Sequence, residues 1–173
     1  MRTGTRGLLK IGRPKAASVG AKMAAISERP QLDWTFTVLD DPVVNAMALP
    51  GGYVYVNRGI LAYFNSEAEM ASVLGHEIGH GFDDQGRQFD GDGNLRDWWT
   101  AEDTERFNER KDKLAAQYDS YEVVDGLTIN GEFTSGENIG DLGGLGGQLT
   151  ELREGLGELR QEPAAVAGLD DES

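Results

Sequence analysis

Residues 72–86 read SVLGHEIGHGFDDQG and contain both histidines of this 173-residue chain, His76 and His80, four positions apart with Glu77 directly after the first. Ser66 followed by Glu69 forms a capping box just upstream, so the spacing predicts a helix from about Glu67 to Phe82. Residues four apart on a helix lie one above the other on the same face, so the two imidazoles can aim at a single point. Gly75, Gly79 and Gly81 flank them, and glycine inside a helix costs up to about 1 kcal/mol relative to alanine. Such a helix is expected where another backbone packs closely or where a substrate needs access.

Two imidazoles on one helical face with a carboxylate alongside are the donor set of a zinc site, in which the glutamate takes a proton from a water that the metal acidifies. The plainer alternative is a polar stripe carrying two satisfied histidines. The chain has no cysteine, which excludes disulfides, thiolate ligands and a cysteine nucleophile, so a third protein ligand must be a carboxylate. SGENIGDLGGL at 135–145 supplies the best candidate, because Glu137 and Asp141 again lie four apart on an expected helix. Glu137 would complete a His, His, Glu site with an open fourth position, and Asp141 would accept a hydrogen bond from the far nitrogen of a histidine. The same pair also reads as an ordinary acidic face on a glycine-weakened helix. Glu132 and Asp92 are poorer candidates because their sequence is loop-like.

Around this site the pattern is that of an α+β domain. WTFTVL (34–39), VVNAMAL (43–49) and YVYV (53–56) are expected strands, separated by Asp40-Asp41-Pro42 and Pro50-Gly51-Gly52. They predict a small, mostly antiparallel sheet of about three strands packed on the histidine helix. KAASVGAKMAAISE (15–28) has helical spacing and ends before Pro30, RGILAYFN (58–65) can form two turns, Thr100 with Asp103 opens a charged helix, GLTINGEF contains a short strand or turn, and a last helix begins near Ser135. DGDGN (90–94) has the composition of a calcium loop, but Leu95 and Ala101 fall where that loop needs Gly and Glu, so a surface turn under Trp98 and Trp99 is expected instead.

Three stretches are expected: a basic, partly frayed segment over 1–26, the folded domain over 27–160, and an acidic, disordered tail over 161–173. Residues 1–30 hold seven Lys or Arg against one Glu, a local charge of +6 that leaves −20 on the rest of a chain whose net charge is −14. An acidic body argues against a nucleic-acid partner. No apolar run is long enough to span a membrane, and the basic start lacks the apolar core of a signal peptide, so a soluble protein, cytoplasmic by default, is expected. Oligomeric state is not legible.

Two family resemblances appear, on different halves of the chain. NAMALPGGYVYVNRGIL and SEAEMASVLGHEIGH, within residues 27–80, resemble the zinc proteases related to HtpX, BepA and the CaaX prenyl protease. GFDDQG, FDGDGNLRDWW and GENIGDLGGL, within 75–145, resemble the neprilysin and endothelin-converting-enzyme family. Both are gluzincins, and the two patterns meet at the histidine helix, as in a chimera or a minimal version. The resemblance implies a zincin-like fold binding one Zn2+ through His76, His80 and Glu137, with Glu77 as general base and Asp141 orienting a histidine. It also implies an edge strand over the metal, on which Asn45 and Ala46 hold the substrate backbone. The neprilysin pattern usually has Ala at the place of Gly140, and a His and an Arg after the third-ligand helix that stabilise the reacting carbonyl. After Leu145 this chain has no histidine, and Arg153 and Arg160 sit in no matching motif.

The expected function is zinc-dependent hydrolysis of peptide bonds in peptides or unfolded protein. Two rivals stand beside it: a zinc-binding scaffold with little or no turnover, and an acidic interaction module that binds no metal.

Overall fold

The computed structural model describes the backbone of residues 3–161 and the side chains of residues 13–153. Helix α1 runs Thr3–Ala25, and its inward face carries Ala16, Val19, Met23 and Ala24, all buried. These positions recur at helical spacing, and they join Val38, Val54, Val56, Leu61, Met70, Ala71, Leu74 and Ile78 in one core. The expectation of a basic, partly frayed start over 1–26 therefore fails from residue 13 onward. The apolar stripe between the lysines is needed in the core, which crosses the boundary expected at residue 27. Two of the basic residues find acidic partners within the domain: Lys15 pairs with Glu67 at 2.6 Å and Lys22 with Glu151 at 3.0 Å. The acidic tail expected over 161–173 lies outside the described residues, apart from the backbone of Gln161.

Strands β1 (Thr35–Leu39), β2 (Ala46–Leu49) and β3 (Tyr53–Asn57) form one sheet in the order β1-β3-β2. The three expected strands are present, but the sheet is mixed: β2 runs antiparallel to β3, and β1 runs parallel to it. The reason lies in β3. Val54 and Val56 are 0% and 1% exposed, so the strand with the most buried inner face takes the centre and displaces β2 to an edge. Gly51 and Gly52, at φ of 93° and 84°, make the tight β2–β3 connection that a side chain would resist. Strand β2 also starts later than expected. The Asp41 carboxylate accepts the Val43 N–H at 2.8 Å, which holds this stretch in a turn and leaves Val43 and Val44 exposed.

Helix α2 (Arg58–Leu61) leads to α3 (Glu67–Gly79), whose first turn is capped by Ser66 accepting the Glu69 N–H at 3.2 Å. The helix ends at Gly79, with His80 as its cap and Phe82 in the following turn. The DGDGN segment is a surface turn: Asp90 accepts the N–H groups of Asp92 and Asn94, and Trp98 donates to the Phe89 carbonyl at 2.8 Å. Helix α4 (Ala101–Asp119) begins with the expected capping box at Thr100 and Asp103. A short hairpin, β4 (Glu122–Val124) and β5 (Leu127–Thr128), turns at Gly126 and leads to α5 (Ser135–Gln161). No described helix is long and apolar enough to cross a membrane.

The glycines of α3 and α5 face one another. A Cβ on Gly75 would stand 2.9 Å from the Gly143 carbonyl oxygen, and one on Gly79 would stand 3.0 Å from the Gly140 Cα. The two backbones are therefore in contact with no side chain between them. Gly75→Val should destabilise the fold by about 1–3 kcal/mol through overpacking, as read by urea unfolding. Gly146→Ala, where an added Cβ meets nothing within 4 Å, should instead stabilise it by about 0.4–1 kcal/mol.

Candidate metal centre and active site

His76 and His80 lie on the α3 face turned toward α5, and the backbone contact brings the first turn of α5 against them. Their Nε2 atoms converge to 3.0 Å. The Glu137 carboxylate closes the group, with Oε2 3.4 Å from His76 Nε2 and Oε1 3.9 Å from His80 Nε2. Among the described residues, these three offer ligand atoms that all lie within 4.8 Å of one another. Tetrahedral zinc with bonds near 2.0–2.1 Å holds its donors about 3.3 Å apart, so the spacing fits that ion. Two nitrogens and a carboxylate also match its preference for mixed donors, with one position left open. Glu137 is 72% exposed, whereas the histidines are largely covered, so the opening lies on the α5 side.

Each histidine is held by its own acid. Asp141, one turn beyond Glu137, places Oδ1 3.0 Å from His76 Nδ1. Such a contact holds the ring with Nδ1 protonated and frees Nε2 for a metal. Gly140 makes room for this: a Cβ there would stand 2.9 Å from His76 Cε1 and Nδ1, so the Ala usual in the neprilysin pattern would crowd the ring.

His80 has a partner that the sequence reading did not assign. Asp83 Oδ2 lies 2.9 Å from His80 Nδ1, and its Oδ1 accepts the N–H groups of Gln85 at 2.9 Å and Gly86 at 2.7 Å. Burial alone would raise this carboxyl's pKa, but His80 and the two backbone donors hold it below the usual value. The hydrogen bond to Asp83 in turn raises His80, against the opposing effect of burial. The available signal was the FDDQG stretch, where an acid three residues past a histidine can reach back once the helix has ended.

Glu77 is 8% exposed, and burial raises its pKa above the ordinary glutamate value, partly offset by His76 and His80. Glu77 lines the same cavity as Ala48 of edge strand β2. Ala46 opens this strand opposite Val56, and Asn45 just before it is exposed, with its carbonyl accepting the Asn57 N–H at 3.0 Å. Ala46 on β2 and Asn45 just before it thus lie at the edge of the sheet.

Asp83→Asn and Asp141→Asn should each weaken zinc binding by about 10–100-fold, since each leaves the ligands in place and removes only the group that orients a ring. Competition against a chromophoric chelator measures this, with His76→Ala as the reference for loss of a ligand.

The peptidase family M13 model matches residues 55–170, and the peptidase family M48 model matches residues 13–86. Membrane metallo-endopeptidase-like 1 of Homo sapiens is 37% identical over 139 residues, covering 73% of this chain and 18% of that protein. Neprilysin-3 of Drosophila melanogaster is 51% identical over 76 residues, covering 44% of this chain and 10% of its own length. The crystal structure of the Mycobacterium tuberculosis zinc metalloprotease ZMP1 in complex with inhibitor is similar at a TM-score of 0.58 and 42% identity, over 72% of this chain and 21% of that one. The chain thus spans less than a quarter of the length of these relatives. With the M13 model matching well over half of its residues, and the M48 pattern sharing its histidine helix, this chain belongs to peptidase family M13.

Proposed function

We propose that this chain is a zinc-dependent endopeptidase acting on peptides and unfolded protein segments. The observation that carries the reading is the convergence of His76, His80 and Glu137 beside a buried Glu77 that lines one cavity with Ala48 of an edge strand. Zinc bound by these three residues would polarise the scissile carbonyl and acidify a water.

The remaining work falls to the chain's own side chains. Asp141 and Asp83 hold His76 and His80 with Nε2 toward the metal. Glu77 removes the proton from the attacking water and returns it to the leaving amine. Its burial suits this, because a raised pKa makes the carboxylate a better base and lets it keep the proton between the two steps. The substrate backbone lies along β2, where Asn45 and Ala46 hold it by strand addition. Glu137 and Asp141 face solvent, which leaves the approach to the cluster open.

Glu77→Gln keeps all three ligands and removes the base. Peptide-library cleavage by the zinc-loaded protein should fall by on the order of 10²–10⁴ in this variant, with zinc affinity unchanged. Chelation of the wild type should also abolish cleavage and lower Tm, because a metal bound only by the folded state stabilises that state. Zinc bound at one equivalent with no cleavage by the wild type would replace this reading with that of a scaffold without turnover.

A further inference from the structure

A cavity of about 280 Å3 opens beside the ligand cluster, lined in part by Glu77, His80 and the β2 residues Ala48 and Leu49. Four aromatic residues, Trp34, Phe82, Phe89 and Trp98, also line it, with Leu32 among them. Arg29 also lines it, with its guanidinium 4.3 Å above the Trp98 ring. Its Nε has no hydrogen-bond acceptor, and no described carboxylate pairs with it. The acids in the wall are already engaged: Asp83 with His80, Gln85 and Gly86, and Asp90 with the backbone of Asp92 and Asn94.

The wall is assembled from both halves of the chain. Arg29, Leu32, Trp34 and β2 precede the residues that match the M13 model, and Phe89 and Trp98 follow those that match the M48 model. Neither family pattern contains the whole cavity.

We infer that this cavity is the subsite for an aromatic side chain, tyrosine above all, on the N-terminal side of the scissile bond. The location relative to the cut rests on the peptidase reading. A peptide added antiparallel to β2 runs backward as the strand runs forward. Glu77 and Ala48 line the cavity together, which places the reaction centre at that point along the strand. Leu49 and the cavity beyond it therefore meet residues that precede the cut. Aromatic walls favour a ring packed edge-to-face or offset against them. The donors of Arg29 call for an acceptor, which the tyrosine hydroxyl provides. An acidic side chain would share the cavity with Glu77, Asp83 and Asp90, and a basic one would meet Arg29.

Two readouts test this. In the first, zinc-loaded protein cleaves peptides carrying Tyr, Phe, Glu or Ala at each position flanking a single scissile bond, and kcat/KM is compared. In the second, the same peptides bind Glu77→Gln, followed by tryptophan fluorescence. Tyr and Phe before the cut should exceed Ala by on the order of 10–100-fold, the worth of burying such a side chain. The margin of Tyr over Phe should vanish in Arg29→Gln. Leu32→Trp, which fills the cavity, should reduce both aromatic peptides to the level of Ala while zinc affinity is kept. Equal processing of Tyr and Ala upstream, or an aromatic preference confined to residues after the cut, would overturn the inference. If no peptide is cleaved, the peptidase reading fails by itself. Tighter binding of Tyr than of Ala peptides by Glu77→Gln, lost in a Leu32→Trp background, would then still support the cavity as a binding site, and equal binding would sink it.

Discussion

Backbone contact between α3 and α5 is the constraint on which the site depends. The three ligands and the acid that orients His76 come as two pairs at helical spacing, His76 with His80 and Glu137 with Asp141, on helices separated by more than fifty residues. Each pair is local and needs only a helix. Bringing the pairs to one point requires the helix axes to approach more closely than side chains normally allow. Gly75, Gly79, Gly140 and Gly143 permit this, because at each a Cβ would meet the opposing helix at about 3 Å. Glycine weakens both helices by up to about 1 kcal/mol per residue. The core beneath α3 offsets that weakness, as Leu74 and Ala71 are 0% exposed. A metal clamped between the two helices would offset it further, so folding and metal binding are linked in this chain.

The electrostatics of the site divide along the same line. On the α3 side, Glu77 and Asp83 are buried, and their environments push them in opposite directions: burial raises Glu77, while His80 and two backbone donors lower Asp83. One carboxylate is thereby suited to carry a proton and the other to remain charged beside an imidazole. On the α5 side, Glu137 and Asp141 are mostly solvated. The two orienting acids also differ in origin. Asp83 sits three residues from its histidine, whereas Asp141 reaches His76 from a different helix.

The two family patterns are physically compatible because they share α3. One half of the chain supplies α1 and the sheet, which bury the apolar face of that helix. The other half supplies α5, which together with the shared Asp83 engages its polar, glycine-bearing face. A helix has only these two faces to satisfy, and each half covers one. The aromatic cavity forms where the halves meet at the end of β2, beyond the reach of either pattern alone.

The His, His, Glu cluster, the Thr100–Asp103 capping box and the α+β class were legible in the sequence, because each rests on local spacing or on composition. His76 and His80 had to share a helical face, and a chain without cysteine had to use a carboxylate beside them. Three other features were decided by the tertiary structure. Strand β1 lies parallel to β3, because strand order follows which face buries best rather than which strand comes next. The start of the chain, basic by count, presents Ala16, Val19 and Met23 to the core, because lysines on the outer face of a helix do not prevent burial of its inner face. Asp83 reaches His80 only because α3 ends at Gly79, where the turn and two backbone N–H groups fix the carboxylate. Local spacing sets which residues can share a face, and long-range packing sets what that face meets.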